Sequence, residues 1–309
     1  VGGTAKISGS VGAFVAGKGA ELTVNNGEIS GDAFAISGNG TKSATSDQGN
    51  TVINIYGGKI TSTNAAGIYH PQDGVLTVTD GEITGTSGIE IRSGTLNISG
   101  DAEITATAEE FVIDDNGSGS TTDGAAIAVA QHTTKQPITV NITGGTFTGV
   151  VALNDSNIQN NDGSSPVTIE IENGQLNGAL QSDGFADITV KDSEISGNVT
   201  NSGTGDLEIT GGTITGNVTN SSKGETVISN AEVVGTVSNT GEDGNKGSVA
   251  IIDSTVGAVS KEDASITIVN STIGDDKEPT TNVGENVAMV GANVYPTLKA
   301  AIDAANEGD

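Results

Sequence analysis

The stretch Leu207–Asn220 reads L-E-I-T-G-G-T-I-T-G-N-V-T-N. It contains three short β-type pieces, Leu207–Ile209, Thr213–Thr215 and Val218–Thr219, separated by Gly-Gly and Gly-Asn, and none is long enough to fold alone. The same phrase stands upstream as I-T-V-K-D-S-E-I-S-G-N-V-T-N (Ile188–Asn201) and downstream as T-V-I-S-N-A-E-V-V-G-T-V-S-N (Thr226–Asn239). Its middle apolar residues, Ile195, Ile214 and Val233, are each 19 residues apart. A fixed period near 20 marks stacked supersecondary units, each burying its apolar side against its neighbours. Within each piece apolar and polar residues alternate, so one side faces a core and the other faces water.

Working outward, the pattern extends over most of the chain. Leu22-Thr-Val24 leads into Gly27-Glu-Ile29, Ile53-Asn-Ile55 into Gly58-Lys-Ile60, and Leu76-Thr-Val78 into Gly81-Glu-Ile83. Leu96-Asn-Ile98, Val140-Asn-Ile142 and Ile169-Glu-Ile171 open further units, and Ile266-Thr-Ile268 with Ile273 closes the array. Three pieces per unit predict a three-sided coil whose equivalent strands pair in parallel. The fold expected is all-β, a parallel β-helix (β-solenoid) of about eleven coils over residues 1–274. Asn201, Asn220 and Asn239 recur at the same spacing of 19. Stacked at one turn, they predict an amide ladder. Unit lengths vary mainly through insertions rich in Gly, Ser, Thr, Asn and Asp: Gly38–Asn50, Ala106–Ala125, Asn154–Ser165 and Gly241–Gly247. These read as surface loops on the solenoid. The opening V-G-G-T-A-K-I-S-G looks like the back half of a unit. It predicts a piece of a longer, multi-module polypeptide.

Beyond Ile273 the pattern fades. Residues 275–309 read as a connector, a strand at Val287–Val290 and a short C-terminal α-helix at Pro296–Ala305, a possible cap or the start of a further module, in which Leu298, Ala301, Ile302 and Ala305 share one face. The segment Asn293–Asp309, N-V-Y-P-T-L-K-A-A-I-D-A-A-N-E-G-D, resembles the entry segment of pectate-lyase-like β-helix modules in Gram-positive surface proteins, and coils such as L-E-I-T-G-G-T-I-T-G (Leu207–Gly216) resemble the same superfamily. The resemblance implies a right-handed β-helix in an extracellular setting, secreted or on a bacterial cell surface. Enzymes of that superfamily use acidic residues that bind Ca²⁺ and a basic residue, often Arg, as proton acceptor. Polygalacturonase-like members carry Gly-His-Gly and Arg-x-Lys, and neither occurs here.

Composition narrows the function classes. A formal charge of −27 repels nucleic-acid phosphates and anionic membranes. Cations, neutral glycans and basic protein patches remain as partners. Without cysteine, disulfides and thiolate metal sites are excluded. No apolar run approaches the ~20 residues of a spanning helix. Aromatics make up 3% of the chain and Trp is absent, which suits a thin core of stacked Ile, Val and Leu.

The candidate site residues cluster on the third side of the coils. Tyr69, His70, Glu90, Arg92 and His132 fall on consecutive units beside the Ala106–Ala125 insertion. They predict a glycan- or protein-contact patch, since Tyr offers a flat face and Arg and Glu directional hydrogen bonds. As single residues, both histidines read as turn histidines, solvated or hydrogen-bonded, and Arg92 as a surface arginine at a strand end. Asp114, Asp115 and Asp123 in that insertion form a candidate Ca²⁺ set. Glu82 and Glu103, with Glu28 and Lys59, occupy one outward column, the place where a carboxylate pair for glycoside chemistry would sit. The sequence thus predicts, first, a non-catalytic adhesin or binding module that recognises a host glycan or host protein through one lateral face and its loops. A polysaccharide lyase or glycoside hydrolase, and a structural spacer, stand as alternatives.

Overall fold

The computed structural model describes residues 1–40, 49–114, 119–131, 135–156, 163–241, 247–260, 266–274, 280–282, 288–290 and 293–295. These are all strand, turn and loop, with no helix among them. The Pro296–Ala305 helix expected from the sequence lies outside the described residues.

All but four of the strands belong to one continuous sheet, parallel except at its last strand, that winds into a three-sided solenoid. Each side is a ladder of in-register strands. On the first side Val24, Ile55, Val78 and Ile98 pair in succession, and the ladder runs on through Ile142, Ile171, Val190, Ile209, Ile228 and Ile251 to Ile268. On the second side Ile7, Ile29, Ile60, Ile83 and Ile104 lead to Phe147, Leu176, Ile195, Ile214, Val233, Val256 and Ile273. On the third, Ile36, Ile68, Ile89, Ile127, Leu153, Leu180, Val199, Val218 and Val237 follow one another. The central members of all three ladders are buried in a single core. The x-Ile-x alternation explains this: each piece sends one aliphatic side chain inward, and the next coil supplies the matching one.

The corner between the first and second sides must turn sharply within two residues. Over six successive coils its first residue is Asn173, Asp192, Gly211, Asn230, Asp253 or Asn270, each with φ between 45° and 72°. Glycine enters this left-handed region freely, and Asn and Asp are the side chains that most readily follow. The Gly-Gly of the opening stretch is therefore equivalent to Asp-Ser and Asn-Ala one coil away.

Two departures from regularity matter for function. The Ala106–Ala125 insertion, expected as a loop, folds back as a short antiparallel pair, Val112–Ile113 against Thr122–Asp123. Its Phe111 packs on a small apolar cluster of Ala125, Ala128 and Val151 on the outside of the third side. Near the end of the array, Thr280–Asn282 pairs antiparallel with the last long strand, Ile266–Ile273. Ala288–Val290 and Asn293–Tyr295 form a separate antiparallel pair. The first of these overlaps the strand expected at Val287–Val290.

Candidate functional site

The in-register ladders bring Tyr69, Glu90 and Arg92 together, but not on an open surface. Tyr69 pairs with Glu90, and Arg92 follows two residues on. Exposure is 8% for Tyr69, 0% for Glu90 and 1% for Arg92. The cause is the insertion. Glu90 accepts hydrogen bonds from Thr121 N (2.9 Å) and Thr122 N (3.1 Å) of the returning strand and from Ser120 Oγ (2.9 Å). Arg92 Nε faces Glu90 Oε1 at 3.0 Å, and Arg92 Nη2 donates to Thr121 Oγ1 at 2.9 Å. Phe34 stacks on Tyr69 at 5.2 Å, and the Arg92 guanidinium lies 5.9 Å from the Tyr69 ring centre. Burial raises the Glu90 carboxyl above its usual range, while Arg92, the Thr121 amide, Ser120 and the Thr122 amide pull it down. Burial likewise raises Tyr69, opposed by Arg92. These residues bind the insertion to the solenoid wall; neither a contact patch nor a strand-end surface arginine describes them.

His70 needs a further correction. It points inward at 0% exposure, and neither ring nitrogen has a partner. Burial lowers it to about 4. The turn reading failed because His70 shares the register of the inward Ile91. His132 and Asp115 lie outside the described residues. Asp114 and Asp123 do not converge: both are exposed, with Asp123 opposite Val112 and Asp114 beyond Ile113 on the partner strand. Among the described residues no three His, Cys, Asp or Glu side chains gather as a metal site.

The asparagines do stack. Asn201, Asn220 and Asn239 are in register, inward, and 0% exposed. Asn220 Nδ2 donates to Asn239 Oδ1 at 3.4 Å, the one amide-to-amide bond of the three. Asn201 Nδ2 instead reaches Gly205 O at 3.2 Å, and Asn239 Nδ2 reaches Gly247 O at 2.8 Å. The column chiefly caps the turn that follows the third side.

An open concavity lies elsewhere, at the corner between the first and second sides over the early coils. It has a volume of about 450 Å³, and its walls include Asn26, Lys59, Asp80, Glu82, Asp101 and Glu103. Glu28, Lys59, Glu82 and Glu103 follow in register, as the outward column predicted. The floor is backbone. A Cβ on Gly58 would stand 2.6 Å from Gly27 O, and one on Gly81 2.8 Å from Gly58 O; both glycines also have positive φ, 98° and 104°. Side chains are thus kept off the floor while carboxylates line the rim. Asp80 Oδ1 accepts Gly81 N at 2.7 Å, which fixes that carboxylate at the corner. Lys59 Nζ meets Glu82 Oε2 at 3.5 Å, both more than half exposed. Tyr56, 46% exposed, is in register with Asp80, one of the residues that line this groove. Sequence reading passed over Tyr56 because it precedes Gly57-Gly58 where other coils carry an ordinary turn residue. An aromatic in that turn position was the available signal.

Compared with models of known families, with curated proteins and with solved structures, the chain matches none.

Proposed function

We propose that the chain is a non-catalytic binding module, an adhesin segment displayed on or secreted from a bacterial cell, that holds a neutral host glycan in the corner groove. The supporting observation is the groove itself: a glycine-floored trough rimmed by Asp80, Glu82, Asp101 and Glu103, with one ammonium at Lys59 and, in register with Asp80, the exposed Tyr56. Carboxylate and amide oxygens accept sugar hydroxyls, and a tyrosine face packs on a pyranose ring. The charge of −27 argues against an anionic ligand. The one arginine, which lyase chemistry would recruit as base, is committed to Glu90 and Thr121 beneath the insertion.

The test is retention on immobilised glycans, with release of shortened sugars followed in the same wells. Neutral-glycan retention without release is expected. Tyr56→Ala should weaken it about tenfold, equivalent to ~1.4 kcal/mol. Release of product would make the protein an enzyme and overturn the reading. Retention that survives Tyr56→Ala and Asp80→Asn would move the site away from the groove.

A further inference from the structure

The inside of the third side carries polar groups where the other two ladders carry aliphatic ones. Along one inward register column stand His70, Ile91, Val129, Asp155, Ser182, Asn201, Asn220 and Asn239. The asparagines were legible from the 19-residue spacing. Asp155 and Ser182 continue their column and are each 1% exposed.

Asp155 is a carboxyl with half of its hydrogen bonding missing. Oδ2 accepts the Ala186 amide at 3.0 Å, from the turn that follows Ser182. That turn wraps the carboxyl closely: a Cβ on Gly184 would lie 2.4 Å from Oδ2. Oδ1 has no partner, and neither has Ser182 Oγ on the next coil. The neighbours in the column are Val129 on one side and Ser182 on the other, both uncharged; His70 is three coils away. The charged group acting on Asp155 is Asp183. Its carboxylate is held by Asn154 Nδ2 at 2.9 Å and by Ser202 Oγ. A bare Asp155 carboxylate would thus be a buried charge beside a second negative charge, the costliest state for such a group. No third acidic or histidine side chain among the described residues joins the two carboxylates as a metal set. The neutralising ion that fits is a proton. A proton on Oδ1 turns an unpartnered acceptor into a donor. Ser182, its register partner on the adjacent strand about 4.8 Å away, carries the facing unpartnered hydroxyl.

We propose that Asp155 is a proton-operated latch in the solenoid wall: protonated, it joins two coils through Oδ1–H to Ser182 Oγ, and ionised, it gives up that bond and leaves a buried charge beside Asp183. Burial pushes the Asp155 carboxyl up to about 7; the Ala186 amide opposes the shift, Asp183 adds to it and the Gly184 amide opposes it. The latch therefore closes in mildly acid solution and releases as the medium turns alkaline. This stands apart from glycan binding, since the groove lies on a different corner and on earlier coils.

Two measurements on the full chain test it. In the first, the ¹³C carboxyl resonance of Asp155 is titrated in the unmodified protein. A midpoint near 7 is expected; a midpoint close to the ordinary 3.8 would overturn the proposal. In the second, chemical-denaturation midpoints of the unmodified protein and Asp155→Asn are compared across pH. Their difference isolates Asp155 from every other titrating group. The folded state holds the proton more tightly than the unfolded chain, so the advantage of the acid over the amide should shrink as pH rises from 3.8 to about 7 and then level off. A difference that does not change with pH would sink the latch.

Discussion

At the residue scale, the interior of this solenoid sets two titrating groups against each other. His70 is lowered from 6.5 to about 4 by burial. The unfolded chain takes up a proton that the folded chain refuses, so the His70 contribution is intact above 6.5 and is lost as pH falls towards 4. Asp155 works in the opposite sense, losing its contribution as pH rises to about 7. The two windows overlap, so between pH 4 and pH 6.5 the His70 and Asp155 contributions run in opposite directions and offset each other. His70→Leu should unmask the Asp155 slope, and the variant should gain up to about 3 kcal/mol over the parent by pH 4. Denaturant midpoints at several pH values check this; parallel profiles for the two proteins would refute it. Asn220→Ala belongs at this scale too. Its amide bonds Ser222 O and Asn239 Oδ1 inside the core, and their loss should cost roughly 1–2 kcal/mol, read as a lower melting temperature. The column was legible because Asn recurs at a fixed spacing. His70 and Asp155 were not, because each occurs once and only register shows that it points inward.

At the element scale, the folded-back insertion is the feature that sequence reading rendered least well. The meeting of Tyr69, Glu90 and Arg92 followed from coil periodicity. Their burial depends on Ser120–Thr122 returning over them, and two-residue strands leave no alternation to detect. A signal was nevertheless present. Ala125–Ala130, A-A-I-A-V-A, has no polar face, and all six residues are buried. A strand apolar on both faces is covered on both faces. The charge pair gives a direct test of the anchoring. Arg92→Met leaves Glu90 buried without its cation, a change that costs about 3–5 kcal/mol when the pair is fully desolvated. The strain should appear locally, as faster proteolytic cleavage within 107–124 while the coils stay intact. Replacing both members with apolar residues should restore much of the protection. Equal cleavage rates for the parent and Arg92→Met would show that Phe111 and its apolar cluster hold the insertion unaided.

At the scale of the whole molecule, stacked coils repeat every charge at short range. Glu82 and Glu103 sit on adjacent strands, about 4.8 Å apart at Cα, and the total is −27. Folding gathers these charges, so screening should stabilise the protein. Raising NaCl from about 0.05 to about 0.5 M shortens the Debye length severalfold and should lift the melting temperature by several degrees. A salt-independent transition would mean that pairs such as Lys59–Glu82 already balance the rim. The three-sided architecture was readable in advance because a period of 19 with two-residue corners has few other solutions; the groove was not, since concavity arises from how neighbouring corners offset. The same period makes the molecule a ruler with interchangeable divisions. Leu207 lies in register with Thr226, 19 residues on. Excising 207–225 would join Asp206 to Thr226, seat Asn201 against Asn239 and shorten the rod by about one strand spacing, 4.8 Å, with every ladder still in phase. Removing a single residue from within a strand would instead turn that side inside out. Length in this protein can thus change by whole coils without redesign, and its lateral surfaces can be kept while its reach is reset.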